Sequence, residues 1–137
     1  MMIVKNFTLD NVEYMVCDST KGYVPERAGL ALLANRRLGV GADRVLVFTG
    51  TQQQPSFQLY DAAGKELSAQ KQDYLVFAAY LQREGITANA VEMVKALGDQ
   101  AVLGARGMDI SCFEVHVTEA FCQKLRSFEQ KAEKLAV

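Results

Sequence analysis

The sequence predicts an α+β fold: one curved, largely antiparallel sheet wraps around a buried central helix, and a C-terminal amphipathic helix follows. Residues 57–69 read as a strand, a tight turn and a return strand. Residues 74–81 carry no charge on any side, and a helix that is apolar all round is a buried helix. Residues 119–137 instead place apolar side chains at helical spacing between lysines and arginines.

The first third of the chain predicts two strands, a helix and a third strand. Residues 2–18 form the strand pair, with turn chemistry at Leu9-Asp10-Asn11. Residues 25–37 are expected to be helical, because Pro25 suits the first helical position and Gly39 can close the helix. The next residues, Gly39-Val40-Gly41-Ala42-Asp43, either cradle an anion or simply turn the chain. The turn is favoured because the spacing is not that of a phosphate-binding loop.

The central hairpin turns at Asp61-Ala62-Ala63-Gly64, where Gly64 is free to adopt a positive φ. The buried helix ends in a charged turn closed by Gly85. It begins with four polar residues, Gln70-Lys71-Gln72-Asp73. Because a helix N-terminus offers free N–H donors and a positive dipole end, this is where a functional group would sit. Two interpretations stay open here: a polar binding site, or a simple cap with Asp73 capping and Gln70 filling space.

The remainder of the chain predicts a second hairpin over 90–105, a strand over 109–117 and the final helix, with Thr118 as its N-cap. On the strand, Cys112, Glu114 and His116 share one face. Cys and His combine in thiolate catalysis, but residues four apart on a strand are separated by about 13 Å, too far for a hydrogen bond. A solvated outer face is therefore expected. Cys17 reads as a core residue and Cys122 as partly buried.

Composition narrows the function classes for a single domain over residues 1–137. The net charge of −1 and the pI near 5.8 remove the attraction on which nucleic-acid binding depends. No apolar run is long enough to cross a membrane, and the first residues lack a signal-peptide core, so a cytoplasmic protein is expected. Three widely spaced cysteines indicate neither a disulfide framework nor a metal site, and no cofactor is expected.

Two motifs of the chain recur, in order and at matching spacing, in a known family. The family's Arg-x-Φ-Gly-Ile/Val-Gly-Ala-Asp-Gly, with Φ apolar or aromatic, corresponds here to residues 36–44, which contain Arg37-Leu38-Gly39-Val40-Gly41-Ala42-Asp43-Arg44 and have arginine in place of the last glycine. Its Phe-Asn-Ala-Asp-Gly-Ser-Glu corresponds to Tyr60-Asp61-Ala62-Ala63-Gly64-Lys65-Glu66. The chain thus resembles the N-terminal half of the diaminopimelate epimerases, which need no cofactor. The resemblance spans roughly residues 3–97, is strongest over 36–85, and leaves 105–137 unassigned.

The resemblance implies one of two similar halves, each a curved sheet around a central helix. It also implies two cysteines, one at the N-terminus of each central helix, where one removes the α-proton and the other delivers a proton to the opposite face. The helix N-termini would stabilise both a thiolate and the carboxylate of an amino-acid-like ligand.

The departures from the family are at its chemical positions. The family's Cys-Gly-Asn-Gly falls on Gln70-Lys71-Gln72-Asp73, and the amide of Gln70 cannot act as a base near neutral pH. Asp61 stands where the family has a substrate-binding Asn, and Asn11 keeps a family substrate position. The candidate ligand-binding residues are Asn11, Asp61, Gln70, Lys71, Gln72 and Asp73, and no catalytic residue is assigned.

Three functions follow as hypotheses. The first is a non-catalytic relative, one half of the two-domain fold, that binds a small molecule or another protein. The alternative is a racemase or epimerase of altered mechanism, acting as a homodimer with Asp61, Asp73 or a displaced Cys as its base. The third is an interaction subunit that pairs through the surface of the absent half, unless the final helix covers that surface.

Overall fold

The computed structural model describes residues 2–86 and 110–135, and these form six strands and three α-helices. Their bounds are β1 (Met2–Leu9), β2 (Val12–Asp18), α1 (Arg27–Ala34), β3 (Arg44–Phe48), β4 (Phe57–Asp61), β5 (Glu66–Leu67), α2 (Lys71–Arg83), β6 (Ser111–Val117) and α3 (Glu119–Leu135). A 3-10 turn at Ser19–Lys21 follows β2. The predicted hairpin over 90–105 lies outside the described residues.

The six strands form one mixed sheet in the order β5-β4-β3-β2-β1-β6, and it is not closed into a barrel. Only β2 and β3 run parallel among these strands; the other pairings are antiparallel. The parallel pair needs a crossover, and α1 lies in that connection. The α+β class and the largely antiparallel sheet are therefore confirmed.

The alternation of side chains along the strands divides the core into two layers. On β1, Met2 and Val4 face one side of the sheet, whereas Phe7 and Leu9 face the other. The first side packs against α1 and α3, and the second packs against α2. Helices therefore cover both faces of the sheet.

The burial of α2 is as its uncharged sequence predicts. No residue from Asp73 to Leu81 is exposed. Its apolar face meets an aromatic group on the sheet: the ring centroid of Phe77 lies 4.5 Å from that of Phe57 and 5.9 Å from that of Phe48. These contacts fix the helix across β3 and β4.

The first helix is shorter than the predicted span of 25–37. It starts at Arg27 rather than Pro25, and it ends at Ala34. The early end has a local cause, because the side-chain Oδ1 of Asn35 accepts hydrogen bonds from the backbone N–H of Arg37 and of Leu38 at 2.9 and 3.0 Å. This asparagine turn competes with another helical turn.

The glycine-bearing loop after α1 is a turn, as favoured from the sequence. The N–H groups of Val40 and Gly41 donate to the carbonyl of Leu33 at 2.8 and 3.2 Å, and that of Ala42 donates to Ala34 at 3.0 Å. The donors that would cradle an anion are thus used by the end of the helix. Gly39 is required here because a Cβ would lie 2.4 Å from the carbonyl oxygen of Leu33.

The final helix docks on the α1 side of the sheet. Thr118 caps it as predicted, since its Oγ1 accepts from the N–H of Phe121 at 3.2 Å. Cys122 and Leu125 are fully buried in the core, so the prediction that Cys122 is only partly buried was wrong. The thiol of Cys122 lies in the core layer formed by α1, α3 and the sheet. Phe128, one of the apolar residues at helical spacing over 119–137, is 42 % exposed.

Glu129 on α3 caps the N-terminus of α1 from across the core. Its Oε1 accepts from the backbone N–H of Glu26 at 2.7 Å, and its Oε2 accepts from the hydroxyl of Tyr23 at 2.9 Å. The approach is close: a Cβ on Gly29 would lie 2.2 Å from this Oε1. A carboxylate from a distant helix thus accepts from the N–H of the N-cap residue Glu26, the bond that the third helical residue makes in a capping box.

We expect Glu129→Ala to lower the free energy of unfolding by about 1–2 kcal/mol, because it leaves the α1 N-terminus and Tyr23 without their acceptor. Urea denaturation measures the change. Gln130→Ala, at the next and exposed position of the same helix, is the control and should change stability by less than about 0.5 kcal/mol. Equal effects of the two substitutions would contradict the capping role.

Candidate functional site

The start of α2 lies at the end of the sheet where four strands meet. The end of β1, the starts of β2 and β3 and the end of β4 lie at the same end of the sheet. This follows because β1 and β2 are antiparallel, β2 and β3 are parallel, and β3 and β4 are antiparallel. Tyr14 is paired with Arg44, and Arg44 with Asp61. The predicted site residues therefore come from elements that meet at this end of the sheet.

Asp73 lies at the centre of the contacts at this end of the sheet. It is completely buried, and its Oδ1 accepts from the hydroxyl of Tyr14 at 2.7 Å. Nη1 of Arg44 lies 3.0 Å from each carboxylate oxygen. Oδ2 also accepts from the backbone N–H of Gln70 at 2.7 Å. The carboxylate is thus paired and hydrogen-bonded on both oxygens, as a buried charge requires. Burial, together with this hydrogen bond to Asp73, raises the pKa of Tyr14 above its ordinary value.

The four polar residues at the start of α2 form a cap, with roles exchanged from those predicted. Gln70 is the N-cap, and Asp73 occupies the third helical position in a capping box. Asp73 was expected to be the N-cap itself. Its carboxylate instead accepts from the N–H of Gln70, and it also contacts Tyr14 on β2 and Arg44 on β3. The side chains of Gln70 and Lys71 lie at the surface.

Gln72 lies in the first turn of α2, and Asn11 lies in the turn between β1 and β2. Nε2 of Gln72 donates to the carbonyl oxygen of Leu9 at 2.8 Å, so this side chain ties the helix to the turn. Asp10 and Asn11 have φ values of 51° and 64°. A two-residue hairpin with both central residues in the left-handed region favours Asn and Asp, which accounts for Asn11 without a ligand.

Asp61 shapes the hairpin between β4 and β5. Its Oδ1 accepts from the N–H groups of Ala63 and Lys65, both at 2.9 Å. Gly64 adopts a φ of +84°, as the sequence predicts for this turn. The acidic side chain at the family's substrate-binding position is therefore engaged with its own loop.

The three thiols lie away from the start of α2. Cys17 and Cys122 are both in the layer of α1 and α3, on the opposite face of the sheet, and burial raises the pKa of Cys17 to about 12. Cys112 is half-buried beside the α2 layer, where burial raises its pKa despite the nearby charges of Arg83 and Lys5. Glu114 and His116 are exposed next to it, as predicted.

Within residues 2–86 and 110–135, no three side chains of His, Cys, Asp or Glu are grouped closely enough to hold a metal ion. None of the helices in the same ranges is long and apolar enough to span a membrane.

Sequence reasoning missed Arg44 and Tyr14, the two partners of Asp73. The available signal was positional: Arg44 stands where the resembled motif has glycine, so a large cation there calls for a carboxylate partner. Comparison with known proteins adds no relative, since no protein-family model matches the chain and a search of curated proteins finds no match either.

We expect Arg44→Met to lower the free energy of unfolding by about 2–3 kcal/mol, because it leaves the buried Asp73 carboxylate without its cation. The matched control is Arg27→Met, which breaks a 3.0 Å ion pair with Glu66 between half-exposed side chains. That loss should cost less than about 1 kcal/mol. Chemical denaturation separates the two; equal losses would show that the Arg44 pair is no stronger than a surface pair.

The burial of the thiols predicts their reactivity. In the native protein at mildly alkaline pH, a thiol reagent should modify only Cys112 among the three cysteines, and slowly, because its pKa is raised. Cys17 and Cys122 should react only when denaturant is added. Cys112→Ser should remove the native reaction. Rapid modification of a second thiol without denaturant would contradict the packing of α3.

Proposed function

We propose that this chain is a non-catalytic relative of the cofactor-independent amino-acid epimerases, one half of their two-domain fold, which serves as a small-molecule-binding module. The observation that carries the proposal is the ion pair of Arg44 with Asp73. The resembled motifs have glycine at both positions. Two facing glycines leave room at a helix N-terminus, and here two charged side chains fill that room and pair with each other.

The filled space bears directly on substrate binding. A helix N-terminus attracts an external carboxylate through its free N–H groups and its dipole. In this chain the Asp73 carboxylate supplies that negative charge from within, at 2.7 Å from the N–H of Gln70. An amino-acid carboxylate at the same place would meet a buried anion. This supports loss of the substrate site and not a mere exchange of one residue.

The alternative, an enzyme of altered mechanism, needs a general base near the start of α2. Gln70 is an amide, and the thiols lie elsewhere in the described structure. Asp73 is buried with both oxygens engaged, and Asp61 accepts two N–H groups of its own turn. A general base must reach a substrate proton within hydrogen-bond distance. The geometry therefore favours the non-catalytic interpretation.

The binding role is supported by concave surfaces away from the start of α2. One groove of about 560 Å³ opens between α1, α3 and the strands β3 and β4, with Tyr60 and Arg27 among its walls. Sites for small molecules commonly have volumes of about 300–1,000 Å³. We also propose that the sheet curves around α2, as the resemblance to one half of the epimerase fold implies. A homodimer or a companion chain that supplies the second half is compatible with it.

The test is deuterium incorporation at Cα of a panel of amino acids, diaminopimelate included, with the purified protein in D2O. We expect no exchange above the buffer blank, and none with Gln70→Cys, because Arg44 and Asp73 still fill the site and no second thiol faces it. A two-domain diaminopimelate epimerase is the positive control.

Deuterium exchange at Cα by the unmodified protein would contradict the non-catalytic proposal. Its abolition by Asp61→Asn would then assign the base to Asp61 and favour the altered enzyme. Asp61→Asn is informative because Asn can still accept the hydrogen bonds that shape the turn.

A further inference from the structure

The outer edge of β6 is long and open within the described part of the chain. All seven residues of β6 pair with β1, from Ser111 opposite Thr8 to Val117 opposite Met2. Among the described strands, none pairs with the other side of β6. The opposite edge of the sheet is β5, which is only two residues long. Because a long edge strand presents a row of unpaired backbone groups and a very short one does not, β6 is the edge that favours addition of another strand.

Two apolar features lie on the same face of β6. Phe113, Val115 and Val117 alternate along the strand and face the layer of α1 and α3. The side chain of Phe113 is 56 % exposed. On the same face, a cavity of about 240 Å³ lies between β6, the start of α3 and the loop after α1. Val115, Val117 and Phe121 line it, together with Leu38, which is 64 % exposed. One face of this edge therefore carries both an exposed aromatic ring and an apolar cavity.

Antiparallel pairing of β6 with β6 of a second copy has few possible registers. About a two-fold axis, one residue faces its own counterpart, and the others pair symmetrically around it. A pairing centred on Glu114 would place two carboxylates directly opposite each other, which is unfavourable. A pairing centred on Phe113 would leave His116 and Val117 beyond the paired strand. A pairing centred on His116 would set two imidazoles opposite each other and bring no carboxylate to them. The remaining register is centred on Val115.

We propose that this chain forms a two-fold homodimer by antiparallel pairing of β6 with β6 of a second copy, centred on Val115. This register places Glu114 of each copy opposite His116 of the other, so that a carboxylate meets an imidazole twice across the axis. It also places Phe113 of each copy opposite Val117 of the other, whose side chain lines the cavity. Each exposed ring thus covers the cavity of the other copy, and the two sheets join into one.

The charges and the apolar contact have different roles in this dimer. Within one chain, Glu114 lies 3.5 Å from His116 and 3.6 Å from Lys5, and these exposed pairs contribute little to folding. Across the dimer, complementary charges fix the register of a contact more than they strengthen it. Burial of the Phe113 ring provides most of the free energy of association. The inference goes beyond the proposed relation to the epimerases, because neither β6 nor this cavity enters that argument.

Sedimentation equilibrium of the full-length protein measures the dimer directly. We expect a concentration-dependent equilibrium between monomer and dimer, with no larger assembly because a two-fold contact is closed. Phe113→Ser should raise the dissociation constant about tenfold or more, since it removes one buried ring from each of the two equivalent contacts. The matched control is Leu67→Ser, which removes an apolar side chain from β5 at the opposite edge of the sheet and should leave the constant unchanged.

An exchange of charges tests the register. His116→Glu sets a second carboxylate opposite Glu114 at both contacts, and it should weaken the dimer about fivefold, because like charges directly opposite each other repel. Adding Glu114→Lys to His116→Glu restores opposite charges in the same register and should restore the dimer. Both residues are exposed on β6, so neither substitution disturbs the core.

Four outcomes would overturn the proposal. A monomer at every concentration would leave the edge of β6 to a strand of another protein. Assemblies larger than a dimer would indicate open strand addition. Equal weakening by Phe113→Ser and Leu67→Ser would place the contact elsewhere, and a failure of the charge-exchanged variant to recover would contradict the register. None of these outcomes tests the proposed loss of catalysis, which the Cα exchange experiment measures separately.

Discussion

The described structure depends on one buried carboxylate. Asp73 joins the first turn of α2 to β2 through Tyr14 and to β3 through Arg44, so a single group sets where the helix begins and how it lies on the sheet. Taking such a charge out of water is costly, and only close partners on both oxygens offset the cost. The polar contacts of Asp73 therefore act together with the aromatic contacts of Phe77 in fixing the position of the helix on the sheet.

The same tie makes the two ends of α2 unlike. At its start, the positive end of the dipole is satisfied from within, and the polar side chains that the sequence offers as ligands are used by the helix and its neighbouring turns. At its other end, the C-cap residue Glu84 pairs with two cations, Lys5 and Lys21.

Local patterns in the sequence predicted what depends on local physics. Alternation placed Cys112 and His116 on one face, the uncharged run through Phe77 predicted a buried helix, and Thr118 marked the start of the last one. The helix predicted from Pro25 onward begins two residues later, and its N-cap residue donates to Glu129, more than a hundred residues away. Long-range pairs of this kind leave no periodic signal. The sequence shows the charges but not which of them meet.

The position of α3 determines how one face of the sheet is covered. An isolated curved sheet would leave one face apolar, and such faces usually indicate a partner. Here α3 places Leu125 in the layer above β1 and β3, and the carboxylate of Glu129 holds α3 against the start of α1. The final helix, for which the resemblance has no counterpart, therefore supplies in the same chain a cover for that face. A binding module that uses the clefts between its own layers is consistent with that arrangement.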